Sequence, residues 1–240
     1  MSFRGISVLA VVPARGGSKG IPRKNLQEVG GVSLIARAAN VIAALPWIDA
    51  AVLSTDDAEI VAEGARHGLL APFLRPAALA ADNSNSVDMW CHAWTCAEAH
   101  FAERFEISVL LEPTSPLRRP DDVERTVAAL IEGDRAAAAT VSRTPAHFTP
   151  HKTLTVDPEG VIGFYLADGG RHSLRQSIPP YFHRNGLCYA VRRDTLLVEH
   201  SIIDRDCLAV VVDRPVVNID DHLDLRIANM LAAQDPASSR

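Results

Sequence analysis

An apolar run followed at once by a glycine-rich basic loop constrains this chain more than any other feature of its sequence. The run, residues 6–12, has the length and β-branched content of a buried first strand. In the loop, Gly16, Gly17 and Gly20 allow the backbone to approach a ligand closely. Four cations accompany them and would attract an anion, namely Arg15, Lys19, Arg23 and Lys24. The combination favours a polyphosphate site over a solvated basic turn.

The loop matches neither of the two common phosphate-binding motifs. Ser18 precedes Lys19, whereas the Walker A loop requires Gly-Lys followed by Ser or Thr, and the glycine spacing differs from Gly-x-Gly-x-x-Gly. The phosphate interpretation therefore depends on position, because open α/β sheets bind ligands where a strand gives way to the following loop.

Strand-like and helix-like segments alternate over the first part of the chain. Strands are predicted at 51–53 and 107–111, and helices at 34–45, 58–67 and 120–131, with a further helix after the polar loop 82–86. This alternation predicts an α/β fold with a mostly parallel sheet and helices on both faces. Strand character returns at 187–191, 208–212 and 216–219, and a closing helix is predicted at 221–233.

Size and charge limit the classes of protein that this chain can represent. Its 240 residues suffice for a single domain, and a net charge of -5 argues against binding to nucleic acid or an anionic membrane surface. We expect a cytoplasmic protein, because no apolar run approaches the about 18 residues of a membrane span and the first residues do not form a signal peptide. The four cysteines and nine histidines lack metal-ligand spacing.

The stretch 145–184 breaks the α/β pattern. It is rich in proline and too long for a plain loop, so we expect a subdomain or an oligomerisation arm. Arg175 and Gln176 precede its Pro179-Pro180 pair, and Asn185 follows it. A cation in such an arm is functional only if the arm folds over a site.

Three further segments carry side chains suited to chemistry. Asn218, Asp220, Asp221 and Asp224 offer hard oxygens for Mg²⁺, although the same carboxylates could equally cap the closing helix. Residues 54–57 could meet a ligand at the sheet edge or only cap a helix. In 112–118, two prolines stiffen a loop in which Thr114 and Ser115 offer hydroxyls, and Arg118 offers a guanidinium fork for a carboxylate or phosphate.

Taken together, these segments resemble the acylneuraminate cytidylyltransferases, also called CMP-sialic acid synthetases, and their relatives that activate legionaminic and pseudaminic acids. The resemblance rests on residues 13–25 (PARGGSKGIPRKN), 110–118 (LLEPTSPLR) and 185–189 (NGLCY). It implies a Rossmann-like nucleotidyltransferase fold in a single domain, 1–240, with 145–184 as a dimerisation arm that contacts the sugar. It also implies a homodimer.

The resemblance assigns roles to individual residues. The triphosphate of CTP would contact Arg15, Gly17, Ser18, Lys19 and Lys24, and the cytidine side would contact Arg75, Asp82, Ser84 and Ser86. The sugar acid would contact Glu112, Thr114, Ser115, Lys152, Arg175, Gln176 and Asn185, some of them across the dimer. Arg15, Lys19 and Asp220 would be the catalytic residues, with Mg²⁺ on Asp220 and Asn218.

The reaction implied joins CMP from CTP to the C2 hydroxyl of a nine-carbon 2-keto sugar acid and releases pyrophosphate. Two positions depart from the family pattern: Glu112 stands where the family has Gln, and Asn218 replaces the first Asp of an Asp-x-Asp metal motif. Two alternatives remain open: an enzyme like CMP-Kdo synthetase, which uses an eight-carbon acid, and a non-catalytic nucleotide-binding dimer of the same fold.

Overall fold

The computed structural model describes residues 2–171, 175–203 and 206–234 of the chain. Its strands are β1 (Val8–Pro13), β2 (Glu28–Val29), β3 (Val32–Ser33), β4 (Ala50–Ser54), β5 (Ile107–Leu110), β6 (Ala137–Arg143), β7 (Leu154–Val156), β8 (Ile162–Phe164), β9 (Phe182–Arg192) and β10 (Cys207–Val211). Its α-helices are α1 (Leu34–Ala43), α2 (Ala58–Arg66), α3 (Ser86–Phe101), α4 (Pro120–Glu132), α5 (Arg193–Leu197) and α6 (His222–Gln234).

Six of these strands form one sheet in the order β10–β6–β9–β5–β1–β4. β1 pairs in parallel with β4 on one side and β5 on the other, and β10 pairs in parallel with β6. β9 is the exception, because it runs antiparallel between β5 and β6. The prediction of a mostly parallel sheet is confirmed. Because the chain moves outward in both directions from β1, the carboxyl end of β1 is the switch point where such sheets bind ligands.

Side chains alternate along β1 and so divide the core between the two faces of the sheet. Val8, Ala10 and Val12 pack with residues of α1, α2 and α4. Leu9 and Val11 pack on the opposite face against α3, whose Trp90 and Trp94 are completely buried. Helices therefore cover both faces of the sheet, as the sequence predicts.

Several helices begin at the capping residues that the sequence marks. The Ser33 Oγ accepts a hydrogen bond from the Ala36 amide at 3.1 Å, and Asp57 Oδ1 accepts from the amide of Glu59 at 2.8 Å. At the start of α4, the Arg119 amide donates to Asp122 Oδ2 at 2.8 Å. The polar segment 54–57 therefore has a capping function, which its sequence left open.

The predicted strand at 216–219 is wrong, because this segment has no regular secondary structure. Its buried Ile219 packs in a small cluster with Ile21, Val29 and Leu34. The apolar residues of 216–219 therefore pack beneath the basic loop and do not form a strand. The Ile219 amide donates to the Thr114 carbonyl at 2.8 Å, which fastens this segment to the loop after β5.

The stretch 145–184 contains 3₁₀ turns and the antiparallel hairpin of β7 and β8, and its last residues already belong to β9. Large apolar side chains are exposed along it, including Phe148, Leu154, Val156, Ile162, Phe164 and Tyr165. In the hairpin, Leu154 lies opposite Phe164 and Val156 opposite Ile162, so these four exposed side chains share one apolar face. An isolated two-stranded hairpin is marginal in water, and among the described residues this face stays exposed. None of the described helices combines the length and apolar character that crossing a membrane requires.

Candidate active site

A cavity of about 220 Å³ opens at the carboxyl ends of β1 and β5. It lies at the switch point of the sheet, and an adjoining cavity of about 230 Å³ extends it beneath the loop before α3. Predicted site residues that line the first cavity are Arg15, Gly17, Ser18, Lys24, Arg75, Ser86, Glu112 and Thr114. The second is lined by Arg15, Arg75, Asp82, Ser84 and Ser86, so the predicted nucleotide-binding residues share one region apart from Lys19.

A single carboxylate holds two cations of the basic loop. Arg15 Nη1 lies 2.8 Å from Asp82 Oδ1, and Lys19 Nζ lies 2.6 Å from Asp82 Oδ2. The hydrogen bond from Lys19 lowers the pKa of Asp82, and Arg15 acts in the same direction. Because Lys19 and Asp82 are exposed and Arg15 is half-buried at the cavity edge, an incoming anion can compete for the two cations at modest cost.

Asn25 is a cavity residue that sequence reasoning missed. It is buried, and its Nδ2 donates to the Arg15 carbonyl at 2.9 Å, which fixes the backbone of the basic loop. The Gly16 amide is held in turn by Asp56 Oδ1 at 2.9 Å. Nothing in the local sequence distinguishes Asn25 from a solvated amide, since its partner is set by the course of the loop.

Lys24 connects the basic loop to the acidic segment near the C terminus. Its Nζ donates to the Ile219 carbonyl at 2.9 Å and lies 3.2 Å from Asp220 Oδ1. The approach is close at Gly20, where a Cβ atom would lie 2.4 Å from the Asp220 carbonyl oxygen. The structure therefore brings together two segments that lie at opposite ends of the sequence.

The acidic segment divides into capping carboxylates and one that remains available. Asp221 Oδ1 accepts from the amides of Leu223 at 2.7 Å and Asp224 at 3.0 Å. Asp224 Oδ2 accepts from the amide of Asp220 at 2.9 Å. Both carboxylates thus serve the start of α6, whereas the Asp220 carboxylate contacts the basic loop.

Arg75 forms the back of both cavities. It is buried, and its guanidinium donates to the carbonyl and the hydroxyl of Ser54 at the end of β4. Burial lowers the pKa of Arg75 to about 10, while Asp56 acts in the opposite direction and Arg15 reinforces the shift. The group remains cationic at neutral pH and is held rigidly against the sheet edge.

Ser115 and Asn185 belong to the frame of the site and do not line the cavities. Ser115 Oγ donates to the Asn185 carbonyl at 2.9 Å. The Asn185 amide accepts from Thr140 Oγ1 at 2.7 Å and donates to Ser142 Oγ at 3.1 Å. These bonds occupy both the oxygen and the nitrogen of the buried Asn185 side chain. Direct contact of Ser115 and Asn185 with a sugar stays a prediction.

The prediction that Arg118 presents a fork to a ligand is wrong. Its guanidinium is buried and donates to the backbone carbonyls of Glu112, Gly186 and Leu187. Burial also lowers the pKa of Arg118 to about 10. The pairing of β6 with β9 shifts register between Ala139 and Val141, and Gly186 has a φ of +69°, so the carbonyls near this bend need another donor.

Glu112 places a carboxylate in the cavity wall opposite the basic loop. Burial raises its pKa, while Arg118 and Arg184 act in the opposite direction. Its Oε2 accepts a hydrogen bond of 3.4 Å from Asn218 Nδ2. Arg184 is a cation that sequence reasoning missed, because its charge reaches Glu112 only through the antiparallel insertion of β9 beside β5.

Lys152 and Gln176, the predicted sugar-binding residues of the arm whose side chains the structure describes, do not line either cavity. Lys152 lies just before the β7–β8 hairpin, and Gln176 is exposed in a 3₁₀ turn. The side chain of Arg175 falls outside the described part of the structure.

Comparisons with known proteins place this chain among nucleotide-transferring enzymes. It is 26% identical to the post-translational flagellin modification protein B of Campylobacter coli, over 93% of this chain and 94% of that protein. It is 28% identical to the CMP-N,N'-diacetyllegionaminic acid synthase of Campylobacter jejuni, with the same coverage of both chains. Among solved structures, CMP:2-keto-3-deoxy-manno-octonic acid synthetase in complex with CTP shares the fold, with a TM-score of 0.67 at 19% identity over 95% of this chain and 99% of that one.

The sequence profile of the cytidylyltransferases matches residues 9–202, most of the chain. This span includes the basic loop, the loop after β5 and the arm. The chain therefore belongs to the cytidylyltransferase family.

Proposed function

We propose that this enzyme transfers CMP from CTP to the C2 hydroxyl of a nine-carbon 2-keto sugar acid and releases pyrophosphate. One observation carries the proposal: at the switch point of the sheet, Arg15 and Lys24 of the basic loop line the same cavity as Glu112 and Thr114. A triphosphate fits the cationic side, and the hydroxyl groups of a sugar acid can donate to the Glu112 carboxylate and bond to the Thr114 hydroxyl on the other side. The legionaminic acid relative supports the class of substrate.

Positioning and charge neutralisation supply the catalysis in this proposal. The C2 hydroxyl attacks the α-phosphorus in line, and pyrophosphate leaves on the far side. Arg15, Lys19 and Lys24 neutralise the triphosphate and the departing pyrophosphate, and the triphosphate displaces Asp82 from the first two. Asp220, beside Lys24, assists removal of the hydroxyl proton.

Mg²⁺ is the cofactor in this proposal, with Asp220 and Asn218 as its ligands. The Asn218 Oδ1 supports the assignment, because it is buried and has no hydrogen-bond partner among the described residues. Amide and carboxylate oxygens are hard ligands of the kind that Mg²⁺ prefers. When bound, the ion supplies positive charge to the phosphate oxygens.

The sugar side of the site is completed by a second copy of the chain in this proposal. The exposed apolar face of the β7–β8 hairpin favours a homodimer, in which Lys152, Arg175 and Gln176 of the arm reach the sugar acid of the neighbouring site. CTP would be drawn from the nucleotide pool of the cytoplasm, and we expect the protein there.

Pyrophosphate release in the presence of CTP and Mg²⁺ tests the reaction. The acceptor panel contains N-acetylneuraminic, legionaminic, pseudaminic and Kdo acids, and we expect turnover with a nine-carbon acid. Turnover with Kdo alone would favour the eight-carbon alternative, whose structural precedent is the CTP-bound neighbour. CTP binding without turnover on any acceptor would contradict the proposed reaction and favour a nucleotide-binding protein.

Asp220→Ala tests the catalytic assignment. Loss of this carboxylate is expected to reduce turnover at least ~100-fold, as the removal of a key electrostatic group does. Glu124→Ala removes an exposed carboxylate from α4 and serves as the matched control, with turnover unchanged. Near-normal turnover of Asp220→Ala would contradict the role of Asp220.

A further inference from the structure

The acidic segment 218–224 at the start of α6 offers one carboxylate that is not engaged in capping the helix, that of Asp220. Asp221 and Asp224 are hydrogen-bonded to backbone amides at the start of the helix. That leaves Asp220, with the neutral Asn218 two positions earlier. Protein sites for Mg²⁺ commonly supply one or two carboxylates beside the phosphates of the substrate, so a second carboxylate near Asp220 would strengthen such a site.

Glu112 is that carboxylate, although it comes from the end of β5. Its Oε2 accepts from Asn218 Nδ2 at 3.4 Å, and its side chain lines the cavity beneath the basic loop. The segment 218–220 is fixed at this place by the hydrogen bond from the Ile219 amide to the Thr114 carbonyl at 2.8 Å. Glu112 and Asp220 thus flank one short connection between the two loops.

The backbone closes one side of the pair that Glu112 forms with Asn218. At Gly186, a Cβ atom would lie 2.4 Å from Glu112 Oε2 and 2.9 Å from Asn218 Nδ2. The φ of +69° at this glycine is strained for other residues, so β9 approaches the pair as closely as a backbone can. The two side chains are therefore confined together against β9.

The contact with Glu112 also sets the orientation of the Asn218 amide. Its nitrogen faces the carboxylate, since the flipped amide would set oxygen against oxygen. The Oδ1 of Asn218 is then left buried with no donor among the described residues. A hard oxygen without a donor, on a side chain that contacts Glu112 and lies two positions before Asp220, is a ligand that an oxygen-seeking divalent cation prefers.

We propose that Glu112 is a ligand of the divalent cation, together with Asp220 and the Oδ1 of Asn218. Glu112 supplies the carboxylate that position 218 lacks, and Asn218 holds Glu112 through its amide nitrogen. This inference rests on the proposed function, in which the cation accompanies CTP.

Binding of Mn²⁺, followed by its electron paramagnetic resonance signal, tests this inference without turnover. The full chain is titrated in the presence of a non-hydrolysable CTP analogue. Glu112→Gln conserves shape and is expected to weaken Mn²⁺ binding about 10-fold or more, within the range seen for groups that support a metal site. Wild-type Mn²⁺ affinity in this variant, or no Mn²⁺ binding by the wild-type protein, would overturn the inference.

An exchange of the two groups provides the sharper test. The double variant Glu112→Gln/Asn218→Asp places the amide at position 112 and the carboxylate at position 218. One amide still contacts one carboxylate, as in the wild-type protein. Its Mn²⁺ affinity is expected to return to within about 3-fold of the wild-type value, since effects of contacting residues are not additive. A double variant as weak as Glu112→Gln would contradict the shared role. Thermal melting of each variant separates loss of binding from loss of fold.

The pyrophosphate assay separates this inference from the proposed function. Weakened Mn²⁺ binding by Glu112→Gln, without turnover of any sugar acid by the wild-type protein, would support the metal ligand and reject the reaction. Turnover by the wild-type protein, together with Mn²⁺ binding that Glu112→Gln leaves unchanged, would support the proposed reaction and overturn the role of Glu112 as a metal ligand.

Discussion

The cations that follow β1 and the one that follows β5 differ in their bonding partners. Arg15 and Lys19 form ion pairs with the exposed Asp82, whereas Arg118 is buried and bonded to three backbone carbonyls. Arg15 and Lys19 follow β1 in the sequence and Arg118 follows β5, and all three carry a positive charge suited to phosphate. Only Arg15 and Lys19 can exchange their partner for a ligand, because their ion pairs with Asp82 are already in contact with water.

The difference lies in what each cation would lose on binding an anion. Release of Lys19 from Asp82 costs little, since water replaces the partner on both sides. Release of Arg118 would leave buried carbonyls without donors, at about 1–3 kcal/mol for each group. A positive charge in a loop is therefore insufficient to identify a binding residue. Whether the cation can bind a ligand depends on the partners that it already has.

The largest effect is expected from Arg118→Ala. Removal of this buried guanidinium should lower the free energy of unfolding by about 3–5 kcal/mol, because several buried carbonyls lose their donor at once. Urea denaturation measures the change. Arg66→Ala, which removes the exposed arginine of an ion pair with the half-buried Glu63, is the control and should change stability by less than about 1 kcal/mol. Equal effects of the two substitutions would contradict a structural role for Arg118.

A smaller effect, on ligand binding and not on stability, is expected from Lys19→Ala. The dissociation constant for CTP should rise about 10-fold, as for the loss of one charge-assisted hydrogen bond, with an unchanged melting temperature. Isothermal titration with CTP measures it. Lys152→Ala is the matched comparison and should leave CTP affinity unchanged while raising the KM for the sugar acid. Unaltered CTP binding by Lys19→Ala would remove this lysine from the site.

The smallest effect is expected from Asp82→Asn. This substitution removes the anion that competes for Arg15 and Lys19, so CTP should bind about two- to five-fold more tightly at low salt, with the gain lost at high ionic strength. Asp88→Asn removes the same charge from the first turn of α3 and is the control. Weaker binding of CTP by Asp82→Asn would instead indicate that Asp82 itself contacts the nucleotide.

Local signals predicted most of the secondary structure of this protein. Ser33 and Pro120 mark the starts of helices that the structure confirms, and the alternation of strands with helices predicted the sheet. Local signals failed where a segment is organised by distant partners. The run 216–219 reads as a strand, yet its amide at Ile219 bonds to the loop after β5.

The sequence by itself determined the α/β fold, the position of the basic loop after β1 and the family, because these depend on periodicity and on motifs written in consecutive residues. Only the tertiary structure decided that Asp82 pairs with Arg15 and Lys19, that Arg118 is structural and that Glu112 meets Asn218. These contacts join segments far apart in the chain. The partners of Arg118 and Glu112 are fixed by the insertion of β9 and by the packing of Ile219 beneath the loop, which no local pattern encodes.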